Sequence, residues 1–303
     1  MTGFDRRTFM GLTIAGAAGL ALGNGVSTIR RDPWIRKALK VGMIAGGETL
    51  AEKFAIARDA GFDGIELDSP GPIDRPAVLR AMEASGLSVP GVVLSTHWSK
   101  PFNHPDAGVR AEADAALEIA LRDCKSVGGT SVLVVPAVVN QSMPYADAYR
   151  LSQEAMRRAV PLAGELGVSI AFENVWNNFL LSPLEAARYC DELNDGLEKP
   201  VFGWHFDIGN IVNYGWPEQW IETLGERILK LDVKDFSRTK RNEEGLWKGF
   251  GVEIGDGECG WERVRASLNK VGYRGWAAAE VGGGDLERLT DIARRMDRVF
   301  DQA

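Results

Sequence analysis

A chain of 303 residues, 45% hydrophobic and 25% charged, can bury a large core and carries no compositional sign of disorder. Its formal charge of -7 argues against a nucleic-acid partner, because phosphate backbones are held chiefly by clusters of Lys and Arg. Three scattered cysteines, Cys124, Cys190 and Cys259, form neither a disulfide framework nor a zinc ribbon and read as buried small residues, while three histidines (His97, His104, His205) leave few imidazoles for any metal.

The N-terminus pairs Arg6 and Arg7 with a weakly hydrophobic Gly/Ala-rich run and small residues at Ala21-Leu22-Gly23, the three-part pattern of a twin-arginine export signal. The apolar stretch from Met10 to Leu22 is shorter than the roughly 20 residues a bilayer span needs, so no stable membrane anchor is expected after cleavage. The expected organisation is a signal over residues 1–25, a linker over 26–39 and one domain over 40–303, with an exported, periplasmic location.

From Lys40 the chain alternates between short apolar runs and helical patterns. Strand candidates are Lys40 to Ile44, Gly64 to Leu67, Leu87 to Leu94, Ser131 to Val135, Val168 to Phe172, Val201 to Phe206, Ile228 to Val233 and Trp276 to Ala279. Between them lie helices from Leu50 to Ala60, Pro76 to Ser85, Gly108 to Val127, Tyr145 to Leu166, Pro183 to Leu193, Glu218 to Glu226 and Trp261 to Val271, with a closing helix from Leu286 to Phe300. Ser237 to Gly249 reads as a polar, basic loop. Eight βα units in one α/β chain predict a single-domain (β/α)8 TIM barrel. An open doubly wound sheet is the alternative, but no Gly-rich phosphate fingerprint follows the first strand.

Four carboxylates, Glu173, Asp207, Asp232 and Glu280, fall at or near the ends of strands five to eight, where barrel enzymes place their chemistry. Converging negative charges repel in a low-dielectric cleft, and a divalent cation would relieve them. Outward-facing carboxylates paired with Lys or Arg are the competing reading. His205, two residues before Asp207, shares its face of the strand one layer deeper and reads as a buried neighbour of the site. Glu66 ends strand two and His97 follows strand three, positions where ligand-binding residues collect. Lys234 and Arg238 suit an oxygen-rich or anionic ligand group. Trp98, Trp176, Trp216 and Trp247 lie in strand-end loops, where an indole covers the apolar face of a ligand or packs in the core.

The runs FENVWN, HFDIGN, LDVKD and GDGECGWERVRASLNKVGYRGWAAAE, preceded by GFDGIEL, resemble the sugar epimerase and isomerase branch of the xylose-isomerase-like TIM barrels along essentially the whole mature chain. The resemblance implies that Glu173 and Glu280 are metal ligands and also the acid/base pair, with Asp207 a third ligand. The fourth ligand of such proteins is usually a histidine, and here Asp232 stands in its place; Asn210 likewise replaces a histidine that touches substrate. An all-carboxylate set favours Mg²⁺ or Mn²⁺ over Zn²⁺ or Co²⁺.

The expected activity is therefore a metal-dependent epimerase or isomerase of a ketose or keto-sugar, working through an enediolate with two glutamates as acid and base. The partner is a small-molecule sugar. Pairing of barrels into a homo-oligomer stays open. The alternatives are a lyase or hydrolase of 3-keto glycosides and a sugar-binding barrel without turnover, which the Asp232 and Asn210 departures keep in view. The DNA-repair endonuclease branch of the superfamily fits neither the three histidines nor the acidic balance.

Overall fold

The computed structural model describes residues 33–302; the expected export signal and the first part of the expected linker lie outside them. Eight parallel strands close into a barrel in sequence order: β1 (Ile35–Lys40), β2 (Gly64–Ser69), β3 (Gly91–Leu94), β4 (Ser131–Val134), β5 (Ser169–Glu173), β6 (Phe202–Asp207), β7 (Ile228–Val233) and β8 (Gly275–Ala279). Closure is made by β1 against β8, with Ile35 opposite Gly275 and Leu39 opposite Ala279. Among the described residues no helix is long and apolar enough to cross a membrane.

Local chemistry explains most boundaries. Thr49 and Glu52 form a reciprocal capping box at the start of Leu50–Asp59, and Ser182 and Asp285 accept from the backbone amides of Glu185 and Arg288 at two later helix starts. Gly86 and Gly167 end their helices at φ 76° and 63°, a conformation that costs glycine little.

Two expectations need correction. β1 runs over Ile35–Lys40, not Lys40 to Ile44, so the barrel begins inside the stretch read as linker. Arg36 and Lys37 hide this strand in the sequence, because Lys37 is buried only by virtue of its ion pair with Asp297 at 2.6 Å. The segment read as a loop after β7 holds a helix, Arg238–Glu244, and a 3-10 turn, Leu246–Phe250. Ser237 caps the first by accepting from the Lys240 amide, and Gly249 lets the second lie flat on Phe236, whose ring a Cβ there would meet at 2.3 Å.

The apolar core lies between strands and helices, and the lumen carries charge. In register with Asp232 across β8 and β1 stand Ala278 and then Ala38, side chains too small to fill the barrel at that level. The buried side chains of Lys40, Glu66, Lys230 and His205 occupy that interior instead.

Candidate active site at the barrel mouth

The runs FENVWN and HFDIGN are tied together where β5 and β6 end. Asn174 Oδ1 accepts from the Asp207 amide at 2.9 Å while its Nδ2 donates to the Asp207 carbonyl at 2.7 Å, and Asn210 Nδ2 returns a bond to the Asn174 carbonyl at 3.0 Å. Asp207 Oδ1 in turn accepts from the Asn210 amide at 2.7 Å, capping the short helical turn Ile208–Ile211. These bonds fix the backbone that carries Glu173 and Asp207, so the two carboxylates are aimed by neighbouring residues of their own motifs.

One oxygen from each of Glu173, Asp207, Asp232 and Glu280 lies within 4.8 Å of the others. The four carboxylates singled out in the sequence are thus brought together. Lys234, from the end of β7, places its Nζ 2.6 Å from Glu280 Oε2 and 2.8 Å from Asp207 Oδ2. The second contact is an ion pair only, since Asp207 Oδ2 is buried without a well-directed hydrogen bond.

Just below, a second set of charges is closed on itself. Lys40 Nζ reaches Glu66 Oε2 at 2.7 Å and Asp232 Oδ1 at 2.8 Å, His205 Nε2 meets Asp232 Oδ1 at 2.9 Å, and Lys230 Nζ lies 3.7 Å from Glu66 Oε1. Asp232 therefore belongs electrically to this deeper set although one of its oxygens reaches the mouth. His205 is the buried neighbour the sequence suggests.

The ionisation of these groups follows from that arrangement. Burial raises the Asp232 carboxyl, but His205 and Lys40 outweigh it and hold the group well below the usual carboxylate range. At the mouth the balance reverses. Burial, then Glu280 and Asp232, push Glu173 well above its ordinary value, and burial lifts Asp207 to about 8 despite Lys234. Burial works to lower Lys234, yet Asp207 and Glu280 keep it firmly protonated.

A divalent cation fits this mouth. Three carboxylates, Glu173, Asp207 and Glu280, face one ammonium, so ionising all three would leave two negative charges in excess, and Asp207 Oδ2 is a buried acceptor without a directed donor. The donors are all carboxylate oxygens, which suit a hard ion.

A cavity of about 930 Å³ opens over the carboxylates and is bounded by Glu173, Glu280, Asn210, Lys234, Trp176 and Trp247, among others. Asn210, Trp176 and Lys234 thus stand where a substrate would touch them. Glu66, His97 and Arg238 do not line it. Glu66 sits in mid-strand and is held by two lysines. His97 is buried and accepts from the Val135 amide at 3.3 Å, and burial together with Lys40 brings its imidazole down to about 4. Arg238 turns away from the mouth to donate to the carbonyls of Val212 and Gly215 and to cover the ring of Trp216.

Several residues of the site carry no warning in the sequence. Lys40, beneath the mouth, ends a strand that the sequence hides, and Phe250 on the 3-10 turn, Val252 after it and Arg288 in the first turn of the closing helix reach the cavity only through the closure of the barrel. Asp235 was legible as a charge at a strand end, but its part is structural: its carboxylate accepts from the amides of Phe236, Gly255 and Cys259 and from Trp261 Nε1, pinning the loop before β8.

A family model described as xylose isomerase-like TIM barrel matches residues 54–299. The chain is 25% identical over 269 residues to an L-ribulose-5-phosphate 3-epimerase of Escherichia coli (strain K12), covering 84% of this chain and 90% of the relative. Among solved structures it is similar to a D-allulose 3-epimerase from Methylomonas sp. in complex with D-allulose (TM-score 0.70, 17% identity, 89% of this chain and 97% of the other). It is similar as well to a 3-keto-D-glucoside 4-epimerase from E. coli (TM-score 0.70, 15% identity, 88% and 98%). At such identities the structural matches speak for the fold.

Proposed function

The chain belongs to the xylose isomerase-like TIM barrel family, and from that premise we propose that it is a metal-dependent epimerase or isomerase of a ketose or keto-sugar. The observation that carries this reading is the convergence of Glu173, Asp207, Asp232 and Glu280 within 4.8 Å under an open cavity, with three carboxyls sharing one ammonium at the mouth. Sugar epimerases among the relatives support the same class of reaction.

Glu173, Asp207 and Glu280 would hold the cation, with Asp232 in reach, and Mg²⁺ or Mn²⁺ suits the donor set. When bound, it supplies Lewis acidity that makes the hydrogen beside the substrate carbonyl acidic. Of Glu173 and Glu280, one carboxylate removes that proton and the other, protonated, delivers one to the resulting enediolate from the opposite face, giving the epimer. Lys234 offers its ammonium to the oxygen on which negative charge develops. Asn210, whose carbonyl accepts from Trp176 Nε1 at 2.9 Å, positions the sugar. We propose export through the twin-arginine signal as well, which directs the search toward sugars without phosphate.

Incubating the protein in D₂O with a panel of ketoses and 3-keto glycosides tests the reaction. Deuterium at the carbon beside the carbonyl together with a new stereoisomer is the expected result. No exchange with any member, in protein reconstituted with Mn²⁺, would remove the enzyme reading and leave a sugar-binding barrel.

A further inference from the structure

The cavity over the carboxylates is larger than a single ketose requires. Its volume of about 930 Å³ is at the upper end of the ~300 to 1,000 Å³ that encloses a drug-sized ligand. One end is polar, with Glu173, Glu280, Asn210 and Lys234. The other end is aromatic. Trp247 and Phe250 stand at i and i+3 on the 3-10 turn Leu246–Phe250, a spacing that stacks side chains on one face of such a turn. Both rings meet Trp176, with centroids 4.9 Å and 5.0 Å away and planes inclined by 41° and 37°. Phe250 is seated edge-on against the buried Phe236 at 4.9 Å, so this wall is anchored to the barrel.

The three rings line one part of the cavity as an aromatic wall, which suits a broad apolar group better than a second sugar ring, whose hydroxyls need partners around its edge. The charged side chains that line the cavity beside the aromatic rings already spend much of their hydrogen bonding on the protein. Arg288 donates to Glu253 at 2.8 Å, and both oxygens of Asp235 accept from neighbouring loop groups. Lys234 Nζ, 5.5 Å from the Phe250 centroid, marks the border between the two halves. Trp247 is 70% exposed and Trp98, across the opening, 52% exposed, leaving uncovered apolar surface contiguous with the site.

We infer that the substrate is a keto-sugar glycoside whose aglycone is aromatic or comparably broad and apolar, with the sugar over Glu173 and Glu280 and the aglycone against the wall of Trp176, Trp247 and Phe250. This rests on the epimerase reading for the sugar half alone. The aromatic half stands on its own geometry.

Calorimetric titration of the Mn²⁺-loaded protein with the phenyl and methyl glycosides of one 3-keto-glucoside, and with a keto-disaccharide, tests it. The phenyl glycoside should bind about tenfold more tightly than the methyl glycoside, the worth of one good aromatic contact. Trp247→Ala, at an exposed position where the fold is not at stake, should reduce that preference to about twofold or less. Equal affinities, a preference for the disaccharide, or a phenyl preference that survives Trp247→Ala would each overturn the inference. D₂O exchange on the same compounds separates the two readings: exchange without a phenyl preference sinks the aglycone site alone, and a phenyl preference without exchange sinks the epimerase alone.

Discussion

Within the barrel lumen, Glu66 and Asp232 face Lys40 and Lys230, whereas at the mouth Glu173, Asp207 and Glu280 face Lys234 alone. The residue types are the same in both layers. The deeper layer is matched charge for charge, and its carboxyls are held below their usual range. The upper layer is not matched, and burial drives Glu173 and Asp207 upward. Matched charges in a buried network serve the fold, because desolvation is offset only when every member has a partner. The mismatch at the mouth leaves a demand for positive charge that an ion and a substrate can meet.

The sharpest way to break this comparison is one conservative change in the upper layer. Glu173→Gln should lower deuterium exchange by about 100 to 10,000-fold, the range for loss of an acid/base group. Its melting temperature without the cation should hold, since a carboxyl that burial and its neighbours favour in the neutral form is replaced by a neutral amide of the same shape; unchanged turnover would take Glu173 out of the mechanism. The converse change below is Lys40→Met. It strips Asp232 and Glu66 of their shared ammonium and should cost roughly 3–5 kcal/mol in a denaturant titration, the usual result of breaking a buried pair. A loss below 1 kcal/mol would mean that the deeper layer is not the structural one.

The cation comes next in size. At about 100 times its dissociation constant, Mn²⁺ should stabilise the protein by about 2.7 kcal/mol, and Asp207→Asn should abolish most of that gain while Glu66→Gln should not. A Mn²⁺ effect that follows Glu66 and ignores Asp207 would put the ion in the wrong layer.

Near neutral pH the smallest effect is that of His97, which develops only on acidification. Its folded-state value of about 4 lies below the ordinary 6.5, so between these values the unfolded chain binds more protons. Stability from this group is full above about pH 6.5 and is lost as pH falls toward 4. Subtracting the profile of His97→Gln from that of the unaltered protein should leave a slope confined to this window. A slope elsewhere would show that His97 is solvated, as a loop residue poised for substrate would be.

Much of this molecule was legible in the chain. The alternation of apolar runs and amphipathic helices carried the (β/α)8 architecture, with β7 and the closing helix Leu286–Phe300 matching to the residue, because strand and helix periodicities are local properties. The carboxylates at the ends of β5 to β8 were legible for the same reason: a strand end in a parallel barrel is a mouth position whatever follows it. β1 was not, because two basic residues interrupt its apolar pattern and the partner that buries Lys37 lies in the last helix.

The sequence by itself thus determined the scaffold and which acidic residues gather at one rim. Only the tertiary structure decided how charge is shared among them, with Asp232 claimed by Lys40 and His205 and Lys234 standing between Asp207 and Glu280, and only it packed Trp247 and Phe250 against Trp176. Periodicity fixes the face on which a side chain emerges. The lengths and angles of the ion pairs depend on the register and closure of all eight strands, which no local stretch contains.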